Sequence, residues 1–460
     1  MKLKSNWLIF SAVVLLAVLW LVGSYLLPVA VGVGVLLVLL IFSIRLDWGL
    51  YVLAFSLPLI NWNFAWNSLS VSLVEIVALL LALAFGLHHL YAWYRGKNIW
   101  RKIKLPLWQP FLIFIIAAAI SSLFSHYILA ASWYAARWLL FFYVAYLAVP
   151  YNIIKDGRIL KNTIIALTLS GLGLAVMGLV SLYYQDWYND FFRIQPTALF
   201  GIYPVGENHN LIAEFLVIIT FLVLSLKHWS RSLRLNRFIN ILFLFLLAVT
   251  IGTFSRTAWI VLGVCSAVYL WLDTVYLKRK QWNSKNIILA LVVTMILLVP
   301  FIVRMDRLQA ENASSTENRL LLTQIAWRAL AAHPLVGYGP GTFVTLVGNN
   351  VRFTAKYGDP LDSHGVWQKL IAEVGSLGTV AFALFVGLIF WNLYRALKIY
   401  KREAQLLLPL AVAALGGFIY QWFNTSYYKG KLWVPLAVAL AAMNLLKQKY
   451  ASQKDLIVKQ

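Results

Sequence analysis

Runs of about 20 apolar residues, divided by short charged loops, constrain this chain more than any other feature. Each run is long enough to cross a bilayer as a helix. Hydrophobic residues make up 62% of the 460-residue chain, well above the share in an ordinary soluble domain. The basic residues fall on alternate loops, as they do when Lys and Arg are held on the cytoplasmic side. Arg95 to Lys104 holds five basic residues and no acid, so it is expected in the cytoplasm. Hydropathy and loop charge together predict an all-α polytopic membrane protein with about 12–14 spans; the fullest count starts with Trp7 to Tyr25 and includes Ile287 to Val303. Both termini are then expected on the cytoplasmic side. The hydrophobic N-terminus reads as a first anchor, because it runs on into another span with no small-residue cleavage site.

The net charge of +23 invites a nucleic-acid reading. Placing the charges removes it, since the loops that orient the spans use up the basic residues and leave no basic face over. The single cysteine, Cys265, lies in an apolar run and reads as a small packing residue.

One hydrophilic stretch interrupts this pattern. Residues 305–363 form a large loop expected outside the cytoplasm, between a transmembrane core at 1–304 and C-terminal spans and tail at 364–460. Within the loop, Asn318 to Ala332 reads as an amphipathic helix that Arg319 opens, stopped at His333-Pro334. A glycine-rich turn follows, Gly337 to Phe343. It comes after a helix rather than a strand and lacks the Lys-Ser/Thr of a nucleotide loop, so a tight turn leading back to the membrane is the better account. The next span is expected to run from Val366 to Tyr394.

Three arginines expected outside break the charge rule: Arg193, Arg256 and Arg319. Arg256 sits in a very short turn between apolar spans, where an unpartnered charge is costly. Its guanidinium suits bidentate pairing with phosphate oxygens, although headgroup snorkelling or a structural ion pair would also place an arginine there. Arg319, at a helix start, would gain from the helix N-terminus in holding an anion. His364 closes the large loop, two residues after Asp362. Histidine suits general-base work near neutral pH, and Asp362 could orient it; an interfacial histidine with a backbone partner is the plainer alternative. His209 is the next candidate. Glu75 and Arg137, within expected spans, read as a buried structural pair or as backbone-bonded groups. Asp362 and His364 alone are too few to bind a metal.

Four stretches, in this order and spacing, give the chain a likeness to a known family. They are Arg193 to Leu216, Thr253 to Ile260, Arg319 to Phe343 and Ser363 to Gly378. The chain resembles the O-antigen ligase and O-antigen polymerase superfamily of bacterial membrane glycosyltransferases. That resemblance implies an inner-membrane enzyme that moves a glycan from an undecaprenyl diphosphate donor to an acceptor hydroxyl on the outer face, with no cofactor. The acceptor would be a lipid A core, another glycan or a protein, so ligase and polymerase stay open. By the same likeness, Arg256, Arg319 and Arg193 would hold the donor diphosphate and His364 would be the base. Relatives often carry Asn after this histidine, where this chain has Gly365. Fixed arginines would stabilise the charge left on the diphosphate, and direct, metal-independent displacement with inversion is the simplest course. A transporter or flippase of lipid-linked or other solutes is the competing class, though transporters usually show repeats and broken helices around a midplane site.

Overall fold

The computed structural model describes residues 27–66, 69–97, 103–185, 192–199, 201–276 and 305–458. The expected spans Trp7 to Tyr25 and Ile287 to Val303 lie outside them. The described part opens with α1 (Leu27–Ile44) and α2 (Leu46–Ser56), then a hairpin of β1 (Asn63–Trp66) and β2 (Leu69–Ser72). Next come α3 (Leu73–Tyr94), the shorter α4 (Trp108–Leu123), α5 (Ile128–Ile153), α6 (Gly157–Tyr184), α7 (His209–Trp229), α8 (Leu233–Gly252) and α9 (Arg256–Thr274). The large loop holds α10 (Met305–Ala332), α11 (Phe343–Gly348), α12 (Val351–Tyr357) and α13 (Val366–Glu373). The chain returns through α14 (Gly375–Ile399), α15 (Lys401–Tyr420) and α16 (Gly430–Gln453). Among the described residues, nine of these helices are long and apolar enough to cross a membrane. The protein is an all-α polytopic membrane protein with a helical lobe between late spans.

Two details differ from the hydropathy reading. The short third span that hydropathy places at Gly49 to Ile60 is instead the 11-residue α2, bent 117° from the end of α1. Eleven helical residues rise only about 16 Å, too little to cross alone. Arg45, at the bend, pairs with Asp47 at 3.0 Å. The second difference is the antiparallel hairpin, which pairs Asn63 with Ser72 and Phe64 with Val71; its strands are too short for an alternating pattern to stand out.

Helices α7, α15 and α16 are buried almost all round, while α14 is buried on one side only. The exposed residues of α14 include Leu377, Val380, Leu384, Leu388 and Trp391, spaced three or four apart. That stripe is the face left for lipid. Association inside a bilayer depends on close packing rather than on removing apolar surface from water. Small residues supply it here: a Cβ on Gly416 would stand 3.1 Å from Cys265 Sγ, and one on Gly417 2.8 Å from Leu432. Cys265 is fully buried at this contact, as a packing residue should be.

The lobe has a separate small core. Leu321, Leu322, Ile325, Ala326 and Ala329 of α10 meet Phe343, Val347, Phe353, Ile371 and Ala372. Helix α13 therefore packs with the lobe, and the expected continuous span from Val366 is broken. The break is at Gly375, whose φ of +62° is left-handed and whose missing Cβ would run into the Leu335 carbonyl. The glycine-rich turn docks there, backbone against backbone: Tyr338 N–H donates to Ala372 O at 2.9 Å and Gly339 N–H to Glu373 O at 2.8 Å.

A left-handed non-glycine residue costs about 1–3 kcal/mol before any clash. Gly375→Ala is expected to lower the thermal midpoint of the detergent-purified protein and to speed proteolysis within the lobe. An unchanged midpoint and digestion pattern would show that the lobe does not depend on this break.

Candidate functional site

The site is assembled from three segments that meet beside the lobe. The first is the Thr253–Ser255 turn leading into α9. Phe254 there has a φ of +52°, a strained value for a non-glycine residue and one that clusters at functional sites. Ser255 caps α9, accepting from Ala258 N–H at 3.3 Å. Its hydroxyl donates to Asn210 Oδ1 at 2.6 Å and lies 3.0 Å from the Tyr420 hydroxyl, which also donates to Asn210 O at 3.0 Å. The turn is thus fixed to α7 and α15 together. Arg256, the first residue of α9, is left exposed.

The second segment carries Arg193. Ile194 N–H donates to Gly252 O at 2.9 Å, which ties it to the end of α8 just before the turn. Gln185 grips the Arg193 backbone from both sides, donating to its carbonyl at 2.6 Å and accepting from its N–H at 3.0 Å. The charge of Arg193 acts on His209 at the start of α7, so these two residues are neighbours.

The third segment is the lobe. Arg319 does not open its helix: α10 begins at Met305, which puts Arg319 about four turns in. The stretch before it, Asp306 to Asn318, contains no Gly or Pro and continues the helix backwards. The expected help from a helix N-terminus is therefore withdrawn. The side chain is instead placed by tertiary contact. Burial, and then the positive charge of Arg256, push the Arg319 pKa down. Its Nε is buried with no hydrogen-bond partner among the described residues.

His364 lies beside this pair. Its pKa is lowered first by burial and then by the Arg319 charge, against the opposing effect of Asp362. The imidazole is therefore neutral near pH 7. Its backbone N–H donates to Gln368 Oε1 at 3.1 Å, and Gln368 Nε2 donates to Thr323 Oγ1 at 2.6 Å, one turn along α10 from Arg319. The ring makes no hydrogen bond among the described residues. Asp362 does not hold it: both Asp362 oxygens accept from Lys369 Nζ, at 2.9 and 2.7 Å, so Asp362 reaches His364 through its field alone. Gly365 is fixed by space, since a Cβ there would stand 2.6 Å from the Trp422 carbonyl oxygen. An Asn at this position would require the 421–426 turn to move.

Several residues of the site went unnoticed in the sequence. Glu214, fully buried in α7, pairs with Lys431 at 2.6 Å. It also accepts from Gln421 at 2.8 Å, from Asn424 at 2.6 Å and from Ser426. The same turn holds the histidine segment, through Val366 N–H to Gln421 O at 2.8 Å and through the Thr425 hydroxyl to Ser363 O. The missed signal was a lone carboxylate in an apolar run; Lys431, with Lys429, already reads in the sequence as a mild exception to the charge rule in the last turn expected outside. Each explains the other. Lys369, 2% exposed, was hidden in an ordinary amphipathic pattern. Glu75 and Arg137 pair with each other at 2.8 Å, and Glu75 closes a capping box with Ser72 at the start of α3. Among the described residues, no group of three or more His, Cys, Asp or Glu could hold a metal.

The fold is that of a multi-pass membrane protein with a helical lobe between late spans. Residues 241–383 match the O-antigen ligase family, and this match supports the O-antigen ligase/polymerase superfamily. The matched segment takes in Arg256, Arg319, Asp362 and His364, and leaves out Arg193, Glu214, Tyr420 and Lys431. No curated protein matches the chain.

Removing one partner of a buried ion pair typically costs about 3–5 kcal/mol. Glu214→Ala is expected to lose stability on that scale, seen as a lower thermal midpoint, with a substantial part recovered by adding Lys431→Met. A double variant no more stable than the single would mean that the other Glu214 contacts, not the charge pair, carry its contribution.

Proposed function

We propose that the chain transfers a glycan from a polyprenyl diphosphate to an acceptor hydroxyl at the outer face of a bacterial inner membrane. The observation that carries this reading is the Arg319 guanidinium, whose buried Nε has no hydrogen-bond partner among the described residues, within reach of the charge of Arg256 and near His364. Two guanidiniums close enough for their charges to act on each other suit an anion bound between them. The Arg319 Nε, buried without a partner, is a donor that such an anion would satisfy.

In this mechanism Arg256 and Arg319 hold the diphosphate oxygens, with Arg193 alongside. The acceptor hydroxyl attacks the anomeric carbon and the bond from that carbon to the diphosphate oxygen breaks. His364 takes the hydroxyl proton and the arginines stabilise the charge left on the diphosphate. One displacement at carbon inverts its configuration. Asp362, held by Lys369, keeps a negative field near the imidazolium that forms.

Arg256→Ala is expected to abolish transfer from a lipid-linked donor while the protein still inserts, and Arg256→Lys to be poor, because an ammonium cannot reproduce the bidentate fork. Full activity in both would reduce Arg256 to a headgroup anchor. His364→Ala should lose about 10²–10⁴-fold in rate. In the native protein kcat/KM should fall as pH drops through a midpoint below 6.5, the ordinary histidine value, since protonation removes the base. Arg319→Gln takes away one cause of the depression, so in its residual activity the midpoint should move up. A fully active His364→Gln with an unchanged pH profile would exclude the base role.

The sidedness rests on the alternating basic loops. With Cys265→Ala as background, a cysteine placed in Asp306 to Ser363 should react with an impermeant thiol reagent in intact cells, and one in Arg95 to Lys104 should not. The reverse pattern would overturn the outer-face placement.

A further inference from the structure

A cavity lies near Lys369. The Lys369 ammonium that holds Asp362 also stands 5.7 Å from the Tyr134 ring centre and 5.8 Å from that of Tyr428. Both tyrosines line a cavity of about 260 Å³, room for about one sugar ring. One wall is a single face of α5, where Tyr134, Arg137, Trp138 and Phe141 follow one another at helical spacing. Trp138 is 2% exposed, and its indole N–H has no partner among the described residues.

The charges in this cavity do not cancel. Arg137 is matched by Glu75. Lys429, also in the lining, has no carboxylate within ion-pairing distance among the described residues; its ammonium stands 5.0 Å from the Tyr428 ring. Burial lowers its pKa, and Arg137, Lys431 and Lys369 lower it further against the pull of Glu75. The lining thus carries two cations, Arg137 and Lys429, against one carboxylate, Glu75, among aromatic side chains. Aromatic faces suit the C–H faces of a pyranose ring, and an ammonium with a guanidinium nearby suits a carboxylate.

We propose that this cavity is a subsite for a carboxylate-bearing sugar residue of the glycan, with Lys429 binding the carboxylate and the aromatic face of α5 binding the ring. The proposal rests on the transfer reading for its biological sense, but binding can be measured without transfer. The full-length protein in detergent is titrated calorimetrically with a glucuronate–glucose disaccharide, with the neutral glucose disaccharide, and with glycerol phosphate as the headgroup of an anionic lipid. The uronate disaccharide is expected to bind and the neutral one to bind at least tenfold more weakly. Lys429→Gln should weaken uronate binding tenfold or more, while Lys429→Arg, eluting at the same monodisperse position, should keep it. Equal binding of the two disaccharides, no binding of either, or an unchanged Lys429→Gln affinity overturns the proposal. Binding of glycerol phosphate in preference to the uronate also overturns it, in favour of a lipid-headgroup site. Arg256→Ala should leave uronate affinity unchanged. If the native protein transfers no glycan from a lipid-linked donor, the transfer reading fails while the subsite result stands, so the two failures are distinguishable.

Discussion

The Glu214 carboxylate is the contact on which the rest of the site depends. A charge without water must be matched, and Lys431 with three polar side chains matches it. Those partners come from the turn between α15 and α16, so matching the charge draws that turn onto α7. The turn then holds the segment before α13 through Gln421 and Thr425. His364 thus takes its position from a carboxylate that it does not touch. Tyr420, at the end of α15, bonds to Asn210 and Ser255 and so aligns the Arg256 turn with the same frame.

That frame brings Arg319 within reach of the charge of Arg256 and fixes the backbone beside Arg193. Arg256 is exposed on a capped helix start, Arg319 approaches from the lobe, and Arg193 is tied to the end of α8. Bringing cations together costs energy, and rigid supports maintain the arrangement: the Ser255 cap, the Gln185 clamp and the separate lobe core. A site prepared in this way needs little reorganisation when an anion arrives, the condition under which fixed dipoles and charges act most strongly on a developing negative charge. Burial, and then the charge of Arg319, lower the pKa of His364 and leave its imidazole neutral.

The glycines around the lobe serve close approach rather than ligand binding. The Gly337–Gly341 turn uses its N–H groups on α13, and Gly375 lets the Leu335 carbonyl pass where a side chain would stand. Gly365 does the same for the Trp422 carbonyl. These contacts join the lobe to the spans, so the lobe is held as part of the bundle instead of swinging on a hinge.

By itself the sequence determined the membrane class, the presence of the lobe between late spans, and the arginines and histidine worth watching. Hydropathy and charge are properties of single residues and short windows, and the bilayer acts on them directly. What the windows could not carry, tertiary structure decided. It broke the span at Gly375, because the clash is with a carbonyl 40 residues away in sequence. It placed Arg319 in mid-helix, since weak amphipathicity before Asn318 hid the true start. It gave Asp362 to Lys369 rather than to His364, and Lys431 to Glu214. A buried charge takes whichever partner the packing brings within reach, and only the folded chain brings them together.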